Sequence, residues 1–169
     1  MNAQVQDMSK LALLTEADIK EIDAWIAKYP VEQRQSAVMA ALRVVQDSNN
    51  GSLTRDLMDA VAEYLDMPTI AVYEVATFYS MYEHKPVGKH KICVCTNISC
   101  MLRGSDTIVN HLEQRLGIKF GQVTADGKYS LKEVECLGAC CGAPMFQIGK
   151  RYYENLTAEK VDQILDNLE

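Results

Sequence analysis

No part of this 169-residue chain is apolar for long. A helix that crosses a bilayer needs about 20 consecutive apolar residues, and no segment approaches that length. Residues 1–8 carry neither the basic start nor the apolar centre of a secretory signal peptide. We therefore expect a cytoplasmic protein without membrane insertion, whose thiols stay reduced.

An excess of basic charge is also missing. The chain has 17 basic and 23 acidic side chains, a net charge of −6, and a nucleic-acid binder would instead show a basic stripe. Residues 1–84 carry a net charge of −7, whereas residues 85–169 carry +1. This division fits either two segments with different neighbours or an acidic, solvated helical surface.

The six cysteines match none of the common redox motifs. At 48% hydrophobic residues the chain can bury a core without disulfides, so its cysteines need another explanation. There is no Cys-x-x-Cys dithiol, and Arg103 stands where the plant-type ferredoxin spacing needs its third cysteine. The bacterial two-cluster run and the glycine-rich nucleotide fingerprint are absent as well. These absences argue against thioredoxin-type chemistry and against a flavin or NADH site on this chain alone.

Four of the cysteines form two short pairs. The first pair is Cys95 and Cys100, separated by four residues, and the second is Cys136 and Cys140, separated by three. Each pair follows a predicted strand, so two loops at one end of a sheet would bring the sulfurs together. Four convergent thiolates suit an iron–sulfur cluster, a zinc ion or two disulfides. The spacing favours a cluster only slightly over zinc, and the reducing compartment places disulfides last.

Cys93 and Cys141 stand beside these pairs. Cys93 could replace Cys95 as a ligand, whereas Cys141 adjoins Cys140, and adjacent side chains do not easily reach one iron. For both we prefer the interpretation of a small, buried apolar residue.

Helical periodicity dominates the first half of the chain. Thr15 and Asp18 resemble a capping box that opens the first helix, and Pro30 ends it. Further helices are predicted over 32–47, 54–65 and 69–82. The fold expected for residues 1–84 is a small helical bundle, with residues 1–14 loose.

The pattern changes after a hinge at residues 84–88. Strands are predicted at 89–95, 118–124, 128–135, 145–149 and 151–153, with hairpins at Asp126-Gly127 and Gly149-Lys150. Helices are predicted around 108–116 and 161–168. The order β-α-β-β-α, with one element left unplaced, predicts a thioredoxin-like α/β domain over residues 85–169. The whole chain is then of the α+β class.

Several segments together resemble a known family. They are Glu74-Val-Ala-Thr-Phe-Tyr79, Pro86-Val-Gly88, the two cysteine pairs, and Gly142-x-Pro144. From about Thr15 onward the chain is similar to the small, thioredoxin-like [2Fe-2S] subunit of respiratory NADH:quinone oxidoreductase (complex I).

This resemblance implies a role for each cysteine. Cys95, Cys100, Cys136 and Cys140 would ligate one [2Fe-2S] cluster. The chain would serve an NADH dehydrogenase (quinone) complex as an electron carrier without a substrate site of its own.

The resemblance also implies partners and a place in the cell. FMN and NADH would bind a flavoprotein subunit that exchanges single electrons with the cluster, beside the other peripheral-arm subunits. The complex would be attached to the cytoplasmic side of the inner membrane. The cluster would lie off the main path to quinone and hold an electron temporarily.

Three alternatives remain open. One is the equivalent diaphorase subunit of an NAD-linked hydrogenase or formate dehydrogenase. Another is a zinc-stabilised scaffold protein. The third is a stand-alone thioredoxin-like ferredoxin, which would not require the helical half.

Aromatic side chains of the fourth helix have two interpretations. Tyr73, Phe78, Tyr79 and Tyr82 could form a docking face for the flavin subunit or pack within the bundle, and packing is expected for Phe78. Trp25 is expected in the core.

Other side chains near the cysteines and along the chain have simpler interpretations. Arg103 would either offset cluster charge or be solvated. The three histidines are expected to be structural or exposed. The Ala143–Pro144 peptide bond is predicted to be cis.

Overall fold

The computed structural model describes residues 9–168, which separate into two compact units with the boundary between Pro86 and Val87. The loose segment predicted for residues 1–14 falls mainly on residues 1–8, outside the described residues. The described end of that segment is not loose, because Lys10–Leu13 form a 3-10 helix. The Lys10 backbone N–H donates to the Glu63 carboxylate at 2.9 Å and ties this helix to the bundle.

The first unit is helical, as predicted. Its α-helices are α1 (Glu16–Ile26), α2 (Val38–Ser48), α3 (Arg55–Leu65) and α4 (Thr69–Phe78). The capping box of α1 is confirmed: the Thr15 hydroxyl accepts from the Asp18 N–H, and the Asp18 carboxylate accepts from the Thr15 N–H. Two boundaries differ from the prediction, since a 3-10 helix (Val31–Ala37) precedes α2 and α4 ends at Phe78 instead of Tyr82.

The core of this unit lies where the four helices meet. Ile22, Leu42, Leu65 and Val72 are fully buried in it, and burying a side chain of this size contributes about 1.5–3 kcal/mol. Trp25 is only half-buried at the edge of this core, with the Lys28 ammonium 3.3 Å from its ring centroid. The expectation of a core tryptophan was therefore only partly right.

The second unit is a mixed α/β fold. Its elements are β1 (His90–Cys95), α5 (Ile98–Leu102), α6 (Ser105–Leu116), β2 (Tyr129–Val134), β3 (Phe146–Ile148), β4 (Arg151–Tyr153) and α7 (Ala158–Asp166). In the described residues they build a four-stranded sheet in the order β2-β1-β3-β4. The first two strands are parallel, and the remaining neighbours are antiparallel. This topology confirms the predicted thioredoxin-like fold.

The two predicted hairpins formed to different extents. Gly149-Lys150 connects β3 and β4 as predicted. At Asp126-Gly127 the chain also turns back: the Thr124 N–H donates to the Tyr129 carbonyl, the Leu131 N–H donates to the Gln122 carbonyl, and Val123 forms an antiparallel bridge with Ser130. Residues 118–124 do not form a regular strand, however, and β2 makes its long pairing, over six residues, with β1.

The sheet packs its apolar side chains with α6 and α7. Ile92, Leu131 and Phe146 from the strands form one cluster with Leu112 of α6 and Val161 of α7. All five are 2% exposed or less, so a packed apolar core supports the sheet, including the edge where its parallel strands end. Within residues 9–168, no helix combines the length and apolarity needed to cross a membrane.

Candidate metal centre

Both cysteine pairs lie at the same edge of the sheet. Cys95 is the last residue of β1 and pairs with Val134, the last residue of β2. The second cysteine pair begins two residues later, at Cys136. Because parallel strands end at the same edge, Cys95 and Cys136 leave the sheet together.

The first cysteine pair is buried. Cys95 is 4% exposed and Cys100 is 2% exposed, and both form an apolar cluster with Ala143 and Met145. The sequence had predicted a loop after Cys95, but Cys100 lies on the short helix α5. The Asn97 side chain caps this helix by accepting from the Ile98 N–H at 2.7 Å.

The second cysteine pair lies on the surface, and both Cys136 and Cys140 are exposed. The Gly138 N–H donates to the Cys136 sulfur at 3.4 Å. Gly138 has φ +74°, a left-handed conformation that glycine adopts without strain. A backbone donor is thus aimed at a candidate ligand.

The turn that follows the second pair is fixed by distant contacts. Gly142 has no room for a side chain, since an added Cβ would lie 2.6 Å from the Glu154 Cβ. The Gly142 carbonyl accepts from the Asn155 N–H at 2.6 Å, and the Pro144 carbonyl accepts from the Leu156 N–H at 3.1 Å. The Ala143–Pro144 peptide bond is cis, which confirms the prediction.

The surroundings of Cys100 favour its neutral thiol. Burial, together with the neighbouring Cys95 thiol, raises the pKa of Cys100 to about 11. Cys140 also contributes to the raised pKa, so these three sulfurs are near enough to interact. Metal ligation needs thiolates, so iron binding at Cys100 must displace a proton.

The cysteine edge does not have a closed metal geometry. In the described part of the chain, no group of three or more His, Cys, Asp or Glu side chains is arranged to hold a metal ion. None of the six cysteines forms a disulfide within the described residues. The edge therefore presents four unlinked candidate donors, two of them exposed.

A buried hydroxyl supports the fit of this edge to a sulfur-rich group. The Ser105 hydroxyl is fully buried and has no hydrogen-bond partner among the described residues. Ser105 is the first residue of α6, the crossover helix between the parallel strands β1 and β2, so it begins at the edge where the cysteines lie. An orphaned donor is costly unless something accepts from it, and a cluster sulfur is such an acceptor.

The two remaining cysteines differ from each other. Cys93 is half-buried on β1, opposite Lys132 and Gln147 of the neighbouring strands. Cys141 is exposed, so the expectation of a buried apolar residue is wrong there. The cause is the 3-10 turn at Cys140–Gly142, which lies on the surface. Arg103 is exposed and does not enter the core.

The aromatic residues around the end of α4 correct another expectation. Phe78 is 79% exposed rather than packed in the bundle, and it makes an edge-to-face contact with Tyr79 at 5.0 Å between ring centroids. The helix ends at Phe78, beyond its last buried residue, Ala76. Tyr82 is the residue that packs inside, with its hydroxyl donating to the Met39 carbonyl at 2.8 Å.

The histidines have structural surroundings, as expected. His84 Nε2 lies 2.9 Å from the Ala76 carbonyl oxygen, and His111 Nε2 lies 2.9 Å from the Asp162 carboxylate. The ring of His90 lies beside the ring of Tyr129, with 5.7 Å between their centroids.

Sequence reasoning missed three exposed apolar side chains beside the cysteines. Ile98, Met101 and Leu102 of α5 are all exposed. The available signal was a run without charge, residues 96–102, in a domain that is otherwise rich in charged residues.

A thioredoxin-like sheet with clustered cysteines at the ends of its parallel strands defines a class of iron–sulfur carrier proteins. Residues 22–169 match the thioredoxin-like [2Fe-2S] ferredoxin family, and the chain belongs to this family. The expectation of one [2Fe-2S] cluster is thereby confirmed.

Several curated proteins, all designated as E chains of NADH-quinone oxidoreductase, are similar over most of their length. The chain is 50% identical to the one from Rickettsia bellii (strain RML369-C), over 85% of this chain and 86% of that protein. It is 47% identical to the one from Rickettsia conorii (strain ATCC VR-613 / Malish 7), over 85% and 86%. It is 43% identical to the second such protein of Rhizobium meliloti (strain 1021), over 88% and 86%.

A solved structure shares the fold. The crystal structure of an NAD+-reducing [NiFe]-hydrogenase in the air-oxidized state matches with a TM-score of 0.66 and 22% sequence identity. The match covers 76% of this chain but only 22% of the hydrogenase chain. At this identity it demonstrates the fold alone.

Proposed function

We propose that this chain is the [2Fe-2S] electron-transfer subunit of an NADH:quinone oxidoreductase. The observation that carries the proposal is a cysteine-rich sheet edge in a chain that is 50% identical, over 85% of its length, to a known component of that enzyme. Such a component works within a complex of several chains.

We assign the iron ligands to the two cysteine pairs, Cys95 with Cys100 and Cys136 with Cys140. Their spacing, their common edge and the proximity of Cys140 to the buried pair support this assignment. When bound, a [2Fe-2S] cluster supplies reversible uptake of one electron.

The surrounding residues would tune the site in three ways. The Gly138 N–H donates to the Cys136 sulfur, and the Ser105 hydroxyl, buried without a partner among the described residues, would be a second donor. Hydrogen bonds to sulfur stabilise the added negative charge of a reduced cluster and so raise its reduction potential. The buried side, lined by Ala143 and Met145, keeps water away from the first cysteine pair. The raised pKa of Cys100 keeps that thiol protonated until iron displaces the proton.

The partner that we propose is a subunit carrying FMN and NADH. Hydride transfer from NADH delivers two electrons at once, a flavin can pass them on singly, and a [2Fe-2S] centre accepts one. The complex would lie on the cytoplasmic side of the inner membrane. The isolated chain would be an electron carrier without a substrate site of its own.

The diaphorase subunit of an NAD-linked hydrogenase is the second candidate, and a chain of such an enzyme shares the fold. Co-purification separates the two candidates. Quinone-reducing membrane subunits support the first, and hydrogenase subunits support the second.

The direct test is metal and acid-labile sulfide analysis of the full chain purified without oxygen. We expect two iron and two sulfide per chain, a reddish-brown colour, and an EPR signal that appears only on reduction. A colourless protein with one zinc per chain would contradict the proposal.

A further inference from the structure

The helical first unit contains a cavity of its own. It is lined by residues at the start of α3, by residues of α4 and by residues 84–86, and its volume is about 410 Å³. Small-molecule sites typically enclose roughly 300–1,000 Å³, so a compact ligand would fit. Leu53, Met58 and Pro86 form the apolar part of the wall.

The charge around this cavity is opposite in sign to that of the unit. Residues 1–86 carry 7 basic and 13 acidic side chains. Among the described residues, the cations Arg55 and Lys85 line the cavity, and no carboxylate does. The two acidic residues of α3 next to the lining residues are engaged elsewhere, since Asp56 accepts from the Lys10 ammonium at 2.7 Å and Asp59 accepts from the Tyr73 hydroxyl. The cavity therefore suits an anion.

The guanidinium of Arg55 is positioned but not fully used. It lies over the Tyr73 ring, 5.4 Å from the ring centroid, and its Nε donates to the Tyr73 hydroxyl at 3.3 Å. Its two terminal NH2 groups make no hydrogen bond within residues 9–168. Those two groups are the pair with which arginine binds a phosphate or a carboxylate in a bidentate manner.

Ser52 adds a neutral donor to the same wall. Its side chain is only 9% exposed and lines the cavity, and its hydroxyl has no hydrogen-bond partner among the described residues. A buried hydroxyl without a partner is unfavourable, so a ligand that accepts from it would be stabilised there.

The combination of donors favours one class of anion. A guanidinium, an ammonium and a hydroxyl line one cavity, at Arg55, Lys85 and Ser52. A phosphate group offers three terminal oxygens to these three donors, whereas a carboxylate offers two.

We propose that this cavity binds a small organic phosphate. The phosphate group would lie against Arg55, Lys85 and Ser52, and the apolar part of the ligand would lie against Leu53 and Met58. The site goes beyond the proposed function, because its lining residues belong to the first unit and all six cysteines belong to the second.

The test is a calorimetric titration of the full chain with its cluster, in a buffer without phosphate or sulfate. The probes are phenyl phosphate, inorganic phosphate and benzoate. We expect saturable, one-to-one binding of phenyl phosphate. Inorganic phosphate should bind more weakly because it lacks the apolar part, and benzoate should bind more weakly because it has one oxygen fewer for the donors.

Two substitutions with a matched control locate the site. Arg55→Gln and Lys85→Gln should each weaken the binding of phenyl phosphate at least about tenfold, because each removes a charge-assisted hydrogen bond. Lys20→Gln is the control, since Lys20 is an exposed cation on α1, away from the residues that line the cavity. It should bind like the unmodified chain. If Arg55→Gln does not fold, as far-UV circular dichroism would show, Lys85→Gln decides.

The absence of saturable binding of phenyl phosphate would overturn the proposal. Equal weakening in Lys20→Gln would overturn it as well, because the effect would then come from the general charge of the unit. Benzoate binding as tightly as phenyl phosphate would overturn the assignment to a phosphate. Failure of the proposed function gives a different result, since it is read from the iron, sulfide and EPR signal of the unmodified chain.

Discussion

The two cysteine pairs differ in how firmly the fold holds them in place before any metal binds. Cys95 and Cys100 are buried, one at the end of a strand and one on a capped helix. Cys136 and Cys140 are exposed, in a loop and a 3-10 turn. One half of the candidate site is therefore built into the core of the unit, and the other half lies open to solvent.

This difference suggests how the site would be filled and used. The buried pair is held in place by the core, and the pKa of Cys100 is raised, so that thiol would lose its proton when iron binds. The exposed pair would provide access for iron. The predictions below test this contrast, beginning with the change that should remove the cluster altogether.

Replacement of a ligand should have the largest effect. Cys100→Ser or Cys136→Ser should remove nearly all of the cluster, because each withdraws one of four thiolates. Iron, sulfide and EPR measurements on anaerobic protein check this. Cys141→Ser and Cys93→Ser are the matched controls and should keep the cluster. If Cys93→Ser lost it and Cys95→Ser did not, the ligand assignment would be wrong.

The turn after the second cysteine pair should be the next most sensitive position. Gly142→Ala would place a methyl group 2.6 Å from the Cβ of Glu154, which is closer than van der Waals contact allows. We expect a loss of about 1–3 kcal/mol in the free energy of unfolding, as is typical of overpacking. Chemical denaturation of the variant measures this loss. Adding Glu154→Ala should restore part of the stability, and a double variant no more stable than Gly142→Ala would argue against this contact.

The buried pair should make the metal-free protein sensitive to alkali. The pKa of Cys100 is raised from 9.0 to about 11 in the fold, so the unfolded chain loses this proton at lower pH than the folded chain. Stability is therefore retained below pH 9 and falls as the pH rises towards 11, by at most about 3 kcal/mol. Thermal unfolding between about pH 8 and pH 11 measures the decline.

Cys100→Ser is the control for this pH dependence, because a serine hydroxyl does not titrate in that range. The decline should be smaller in the variant by the amount that the thiol contributes. Equal slopes for both proteins would mean that other groups, such as the buried Tyr82, with its pKa raised by burial, account for the whole effect.

The smallest expected effect concerns the orphaned hydroxyl. If Ser105 donates to a cluster sulfur, Ser105→Ala lowers the reduction potential on the order of tens of millivolts, because the reduced cluster loses a stabilising hydrogen bond. Ser105→Thr should keep the potential. An EPR-monitored redox titration measures both.

Ser130 offers a matched control for Ser105. Its hydroxyl is also buried without a hydrogen-bond partner in residues 9–168, but Ser130 pairs with Lys91, far along the strands from Cys95. Ser130→Ala should leave the potential unchanged. A similar shift in both variants would point to general loosening of the unit instead of a hydrogen bond to sulfur.

Patterns confined to neighbouring residues were predicted well. The Thr15 capping box, the strand ending at Cys95 and the hairpin at Gly149-Lys150 all follow from short-range chemistry, and all occur in the structure. Helical periodicity likewise placed the bundle of the first unit. The ligand role of the two cysteine pairs remains a prediction.

Errors arose where a choice depended on distant residues. The sequence did not reveal that the longest pairing of β2 is with β1, more than thirty residues earlier. Phe78 has the composition of a core residue and is exposed, because the helix ends there and other side chains already fill the bundle.

The spacing of the cysteines, the charge-free run at residues 96–102 and the helix signals are properties of the sequence and could be recognised without a structure. The difference in burial between the two cysteine pairs could not be recognised in this way. Cys100 is buried because Ala143 and Met145, more than forty residues away, pack against it. Burial depends on which distant segments meet, so only the tertiary structure decided which cysteines are enclosed and which are exposed.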